Sequence, residues 1–175
     1  RIEGLIRQAP CRVGGGIRSV EAARRWLDAG ARKVILGTAA RPELLRQLPR
    51  ERVIAALDAR HGQVVDRGWR NDTGAALEDR LVELRDLVGG FLVTFVEREG
   101  RLGGVDLERV AQLKELAGQA RLTIAGGVQS AAEVAALDAL GVDAQVGMAL
   151  YTGRFSLGDS LAACLTSDRP DGLWP

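Results

Sequence analysis

The sequence has few of the residues that mark metal-binding, disulfide-rich and membrane proteins. Its 175 residues include two cysteines, Cys11 and Cys164, which lie far apart and outside any Cys-x-x-Cys or Cys/His spacing. This spacing indicates neither a disulfide framework nor a zinc site. The single histidine, His61, stands next to Gly62 in a predicted loop, where solvent exposure is favoured over catalysis. No apolar run is as long as a membrane span, which needs about 18 residues. The first residues do not have the pattern of a signal peptide. We therefore expect a cytoplasmic protein with no metal ion and no membrane segment.

The sequence also lacks an excess of charge of one sign. It has 24 lysines and arginines against 23 acidic residues, a net charge of +1, and the two signs are interspersed. Such a balance argues against a surface that binds nucleic acid. With 46% hydrophobic residues the chain can bury one sizeable core. It is nevertheless shorter than the roughly 200 to 250 residues of a complete α/β barrel.

What the sequence does contain is a regular alternation of short apolar runs and amphipathic helical stretches. Six runs have the pattern of strands, each followed by a predicted helix: CRVGGG, KVILGT, RVIAALDA, GFLVTFV, RLTIAGG and AQVGMA. Nearly continuous apolar strands that alternate with helices indicate a parallel sheet covered by helices, which is the α/β class. After the third strand comes the polar segment RHGQVVDRGWRNDTG, which we expect to be a loop.

Two stretches of the sequence repeat one another. GGIRSVEAARRWLDAGARKVILGTA aligns with GGVQSAAEVAALDALGVDAQVGMA, so that Ser19 matches Ser130 at an offset of 111 residues. A repeat of this length indicates two duplicated halves, and the strand that would match VIAALD by this offset falls before residue 1. We therefore expect a (β/α)8 TIM barrel with units three to eight present and about 50 to 60 N-terminal residues, including the first two strands, missing. The barrel domain is expected over residues 1–165, followed by a tail at 166–175 that is either disordered or the stump of a fused domain.

Glycine-rich turns follow four of the predicted strands, at the end of a barrel where active sites lie. Backbone N–H groups at such turns can bind phosphate together with the N-terminus of the next helix. Because the turns form two pairs related by the repeat, we expect two phosphate sites for a substrate with a phosphate at each end. The alternative is that the glycines only permit tight turns. The residues expected to bind phosphate or substrate at these turns are Gly15, Gly16, Arg18, Gly37, Thr38, Gly126, Gly127, Gly147 and Met148.

Three further side chains are candidates for chemistry or substrate binding. Asp58 ends the apolar strand VIAALD, and a carboxylate there costs desolvation unless it is used or paired, which favours catalysis. Thr94 ends FLVT, where its hydroxyl could instead satisfy local backbone groups. Trp69 stands in a polar segment, where it could pack on a planar ligand, on a neighbouring subunit or on the loop itself.

The motifs VGGGIRS, GTAA, LDAR followed by RGW, AGGVQS and VGMALYTG resemble a family of isomerases of histidine biosynthesis, which act on phosphoribosylformimino-5-aminoimidazole carboxamide ribotide. The resemblance covers nearly all of residues 1–165, and RGW favours these isomerases over their sister family, the cyclase subunits of imidazole glycerol phosphate synthase. It implies an Amadori rearrangement of an aminoaldose with two phosphates into an aminoketose, without a cofactor. It also implies Asp58 as general acid with Thr94 beside it, and Trp69, Glu99 and Gly100 in substrate binding.

The sequence departs from the pattern of that family in two places. The family's general base is an aspartate at the end of the first strand, which we expect to be missing here. The loop after strand six of the barrel reads TFVEREGRL, so that Phe95, Glu99 and Arg101 replace an acid, an aspartate and a threonine. Two alternatives therefore stay open: a dual-substrate isomerase that also rearranges phosphoribosylanthranilate, and a non-catalytic phosphate-binding relative. We expect the open edges of a six-unit barrel to be closed by a missing N-terminal half or by another copy of the chain.

Overall fold

The computed structural model of the protein describes residues 2–66, 68–97 and 103–165. The strands are β1 (Arg12–Gly14), β2 (Lys33–Leu36), β3 (Val53–Arg60), β4 (Gln63–Asp66), β5 (Asn71–Ala76), β6 (Gly90–Phe95), β7 (Arg121–Ala125) and β8 (Asp143–Gln145). The helices are α1 (Ile2–Gln8), α2 (Val20–Asp28), α3 (Pro42–Leu45), α4 (Leu77–Leu84), α5 (Leu107–Ala117), α6 (Ala131–Ala139), α7 (Met148–Tyr151) and α8 (Leu157–Leu165).

Six strands form a parallel sheet in the order β1, β2, β3, β6, β7, β8, with a helix in each connection between neighbours. The expected α/β class with six strand and helix units is confirmed. The sheet curves as part of a (β/α) TIM barrel. Its two outermost strands approach one another at their amino ends, where the guanidinium of Arg12 on β1 lies 3.6 Å from the carboxylate of Asp143 on β8.

The hydrophobic core lies between this sheet and its helices. On β2 the alternate residues Val34 and Leu36 are fully buried, and helix α4 buries Leu77, Leu81 and Leu84 at helical spacing against the same core. Side chains of a strand alternate between its two faces. The residues between the buried ones therefore point to the concave face of the sheet, which is the inside of the barrel.

The concave face carries a layer of charge at the amino ends of the strands. The guanidinium of Arg121 on β7 donates two hydrogen bonds to the carboxylate of Asp143, at 2.8 and 2.7 Å. Lys33 on β2 lies opposite Arg12 in the register of the two strands. Burial, and then the charges of Arg12 and Arg121, hold the pKa of Lys33 below its ordinary value. Three cations thus share one carboxylate in this layer.

The polar segment expected to be a loop instead contains two strands, β4 and β5, which extend β3 into an antiparallel ribbon, here called the hairpin. His61 and Gly62 form the turn between β3 and β4, with φ of 50° and 80°. Two consecutive residues with positive φ suit the two-residue turn whose twist matches that of antiparallel strands. The expectation of a loop was wrong because polar residues indicate exposure, and an exposed ribbon can still be a strand.

Two other elements differ from the sequence-based expectation. Residues Ile2–Gln8 form helix α1, which was not predicted and packs Ile6 against Val13 and Ala31. The predicted strand AQVGMA is divided between the end of β8 and the start of the short helix α7. In the three described ranges no helix is long and apolar enough to cross a membrane. The predicted tail, residues 166–175, lies outside the described residues.

Candidate functional site

Asp58 and Thr94 stand side by side near the carboxyl ends of two neighbouring strands. Strands β3 and β6 pair in parallel with Asp58 directly opposite Thr94. Both residues lie on the concave face, since Leu57 and Val93 before them are buried against the helices. Both are half-buried. The two residues predicted to be catalytic are therefore neighbours on the inside of the barrel.

Trp69 makes a direct hydrogen bond to Asp58. Its indole Nε1 donates to Oδ2 of the carboxylate at 2.8 Å, and its backbone carbonyl accepts from Nη2 of Arg60 at 3.2 Å. Trp69 has a φ of 69°, which bulky residues rarely adopt. The hairpin thus brings an indole over the end of β3. A substrate that approaches Oδ2 of Asp58 therefore comes up against this indole.

The first glycine turn opens onto a cavity. Gly15 and Gly16 follow β1 with φ of 96° and 69°, and a Cβ at either position would meet no atom within 4 Å outside its chain neighbours. Glycine is required here by the backbone conformation and leaves the turn open to approach. Together with Arg18, Gly37 and Thr38, these residues line a cavity of about 740 Å³. Backbone N–H groups, a guanidinium and the N-terminus of α2 suit an anion in this cavity.

The second glycine turn has a similar backbone and different surroundings. Gly126 and Gly127 follow β7 with φ of 87° and 90°. Unlike the exposed Gly15 and Gly16 of the first turn, both glycines are buried. The carbonyl of Gly127 accepts a hydrogen bond from the N–H of Gly104 at 3.1 Å. The connection between β6 and α5 is therefore bonded directly to this turn.

A carboxylate that was not predicted from the sequence joins the same two segments. Glu133, in the first turn of α6, accepts from the N–H of Val105 through Oε1 at 3.0 Å and from the N–H of Gln129 through Oε2 at 2.8 Å. Ser130 caps α6 by accepting from the N–H of Glu133 at 3.2 Å. The spacing Ser130-x-x-Glu133 is that of a capping box, and this was the one available sequence signal. The hydrogen bond to Val105 joins residues 28 apart in the chain, and no sequence signal predicted it.

Two of the remaining predicted residues, Gly147 and Met148, lie at the border of the site. Gly147 is the cap residue before α7, with φ of −111°, and Met148 after it is 46% exposed, next to the edge strand β8. Glu99 and Gly100 lie outside the described residues. Glu97, just before them, accepts a hydrogen bond from the backbone N–H of His61 at 3.4 Å, which places it at the turn of the hairpin.

A second cavity, of about 240 Å³, lies beneath the hairpin and shares Gly37 and Thr38 with the first. Asp66 and Arg80 line it, and neither was predicted from the sequence. The guanidinium of Arg80 donates to the carbonyl of Ala40 at 2.8 Å. This cation is therefore engaged by the protein and holds the turn after β2, on which Gly37 and Thr38 lie.

The described site offers groups for proton transfer and for anion binding on one edge of the sheet. A carboxylate, a hydroxyl and an indole N–H meet at Asp58, Thr94 and Trp69, and the first glycine turn faces a cavity. Within the parts of the chain that the structure describes, no group of three or more His, Cys, Asp or Glu residues could hold a metal ion. Such an edge can fix a phosphorylated substrate and exchange a proton with it.

Comparison with known proteins places the chain among enzymes of one pathway. The model of the histidine biosynthesis protein family matches residues 2–156. The 1-(5-phosphoribosyl)-5-((5-phosphoribosylamino)methylideneamino) imidazole-4-carboxamide isomerase of Methanoregula boonei is 40% identical over 172 residues, which cover 91% of this chain and 71% of that protein.

Two further relatives carry the same name. The isomerase of Methanocorpusculum labreanum is 39% identical over 162 residues, covering 87% of this chain and 67% of that protein. The isomerase of Halothermothrix orenii is 35% identical over 156 residues, covering 85% of this chain and 65% of that protein. The chain thus spans between 65% and 71% of the length of these three relatives.

Proposed function

The chain belongs to the family of histidine biosynthesis proteins, and we propose that it acts as an isomerase on the bis-phosphorylated aminoaldose that the names of its relatives describe. The observation that carries this proposal is the position of Asp58 opposite Thr94 on the edge that also bears the glycine turns. An internal rearrangement of this kind needs an acid, a base and a firm hold on both phosphates. It involves no net oxidation, so no redox cofactor is required.

Asp58 is the general acid in this proposal. Its proton passes to the ring oxygen of the aminoaldose, the bond from C1 to that oxygen breaks, and the nitrogen on C1 becomes an imine. A base then removes the proton from C2, and the resulting enaminol tautomerises to the aminoketose. Before the first step, the bond from Trp69 Nε1 to Asp58 Oδ2 is exchanged for one to the substrate.

The two glycine turns are proposed to hold the two phosphates. They follow β1 and β7, which are four strand spacings apart in the sheet. At about 4.8 Å for each spacing, the turns lie roughly 19 Å apart along the curved sheet. A substrate with two phosphoribosyl groups joined through an imidazole has that scale. Arg18 at the first turn adds a charge-assisted contact to the backbone N–H groups there.

The base is proposed to come from a strand that pairs with an open edge of the sheet. Within the described residues, β1 and β8 each pair on one side only. Two sources are proposed for this strand, an N-terminal half encoded with this chain or a second copy. The mass of the active protein in solution distinguishes them, since a second copy requires a dimer or larger assembly.

The proposal is tested by turnover of the bis-phosphorylated substrate by the protein expressed from its complete gene. We expect Asp58→Asn to lower kcat by at least about 100-fold with KM changed less than about threefold. Asp28→Asn is the matched control, because Asp28 is an exposed carboxylate at the end of α2. Full activity of Asp58→Asn would overturn the role of the acid.

The same assay separates the two alternative functions. Turnover of phosphoribosylanthranilate beside the bis-phosphorylated compound would identify a dual-substrate isomerase. Tight binding of the bis-phosphorylated compound by the wild type without any turnover would identify a non-catalytic phosphate-binding relative.

A further inference from the structure

We propose that Glu133 is a positioning residue that couples phosphate binding at the second glycine turn to residues 103–106, which lead into helix α5 on the same edge of the sheet. This inference rests on the proposed function. It starts from residues 103–106, the described end of the connection between β6 and α5. Two hydrogen bonds then join it to the turn after β7, from the N–H of Gly104 to the carbonyl of Gly127 and from the N–H of Val105 to Glu133.

Glu133 is bonded to both segments at once. Its two carboxylate oxygens take separate donors, the N–H of Val105 at 3.0 Å and the N–H of Gln129 at 2.8 Å. Gly104, with φ of 83°, fits closely against this arrangement, because a Cβ there would lie 3.0 Å from Oε1 of Glu133 and 3.2 Å from Nε2 of Gln129. The carboxylate therefore fixes the position of one segment relative to the other.

Helix capping alone does not account for Glu133. In the first copy of the repeat the equivalent position is Ala22, and Ser19 caps α2 by accepting from the N–H of Ala22 at 3.2 Å without a carboxylate. A carboxylate beside an anion-binding turn also repels phosphate. In the second copy of the repeat, Glu133 accepts a hydrogen bond from Val105. Among the described residues, the first copy has no equivalent bond at Ala22.

The consequence is that the second turn and residues 103–106 move together. A phosphate bound to the N–H groups of residues 126–128 orders that turn, and Glu133 passes this order through Gln129 to Val105. The segment that leads into α5, on the edge that carries Asp58 and Thr94, is thereby placed when the substrate is anchored. Small errors in the placement of such loops lower the rate of the chemical step.

Glu133→Gln tests this coupling, because the amide keeps the shape and can accept from only one of the two N–H groups. We expect exchange of the Val105 and Gln129 amide hydrogens to become at least about tenfold faster, with Ala22 unchanged, and kcat to fall about tenfold with KM changed less than about threefold. Asp159→Asn is the control, because Asp159 caps only its own helix through Ser156. It is expected to lose a similar amount of stability and to keep kcat.

Inorganic phosphate gives a readout that does not depend on catalysis. Saturating phosphate should slow exchange at Val105 in the wild type and leave it unchanged in Glu133→Gln. Protection of Val105 that persists in the variant, or an unchanged kcat with faster exchange, overturns the coupling. If the wild type turns over no substrate, the proposed function fails, while loss of phosphate protection in the variant still supports the coupling.

Discussion

The two glycine turns share one chain plan and differ in almost everything around it. Both follow a parallel strand with two consecutive positive φ values and lead into a helix capped by serine. The first turn is exposed, lines a cavity and carries Arg18. The second is buried, and Glu133 ties it to the neighbouring loop. The two copies of the repeat thus share the backbone of the turn, while the charged side chains beside it differ in sign.

For the two proposed phosphate sites, this difference predicts a division of labour between the turns. An open turn with a guanidinium attracts and holds a phosphate by itself. A buried turn bonded to another loop is suited to linking the binding of a phosphate to the position of that loop. The comparison can be tested by changing equivalent features of the two turns.

The largest effect is expected from alanine substitutions at the glycines around each turn. Gly104→Ala imposes a positive φ on alanine and pushes a Cβ against Glu133 and Gln129, so we expect a loss of about 3 kcal/mol in the free energy of unfolding. Gly16→Ala imposes the same conformational strain in open space, which should cost about 1 kcal/mol. Urea unfolding of both variants measures the difference. Equal losses would show that the contacts of the second turn contribute nothing to stability.

The next effect is on anion binding at the turns. Arg18→Ala removes a charged donor from the first cavity and should weaken binding of inorganic phosphate about tenfold. Gln129→Ala removes the side chain that matches Arg18 in the repeat and keeps the backbone N–H that donates to Glu133. We expect it to change the affinity for inorganic phosphate less than about twofold. Calorimetric titration at low ionic strength compares the two. A larger loss in Gln129→Ala would reverse the assignment of the stronger site.

The sequence was sufficient for the features that follow from local pattern. Apolar strands that end in Asp58 and Thr94 were identified by their composition, and parallel pairing then placed both residues on one edge. The repeat predicted both glycine turns because glycine is the residue that adopts positive φ readily. The hairpin was missed because its turn at His61 and Gly62 lacks the Asn-Gly or Asp-Gly signal that is typical of such turns.

The features that were not predicted depend on residues distant in the chain. The bond between Glu133 and Val105 joins the segments that follow two paired strands, β6 and β7. The contact between Arg12 and Asp143 joins the two outermost strands, which the curvature of the sheet brings together. The hydrogen bond from Trp69 to Asp58 depends on the hairpin that was taken for a loop. A pattern in one segment indicates its secondary structure and says nothing about the partner that the fold supplies.

The smallest effect comes from giving the first turn the charge of the second. Ala22→Glu creates a Ser-x-x-Glu spacing after Ser19 and should weaken binding of inorganic phosphate about threefold at low ionic strength, because a carboxylate then stands beside the anion. Stability should not fall, since an acid in the first turn of α2 interacts favourably with the helix N-terminus by a few tenths of a kcal/mol. Ala22→Gln has the same size without the charge and should leave the affinity unchanged. If both variants weaken binding equally, bulk at this position and not charge separates the two turns, and the exposed first turn binds phosphate better only because it is open.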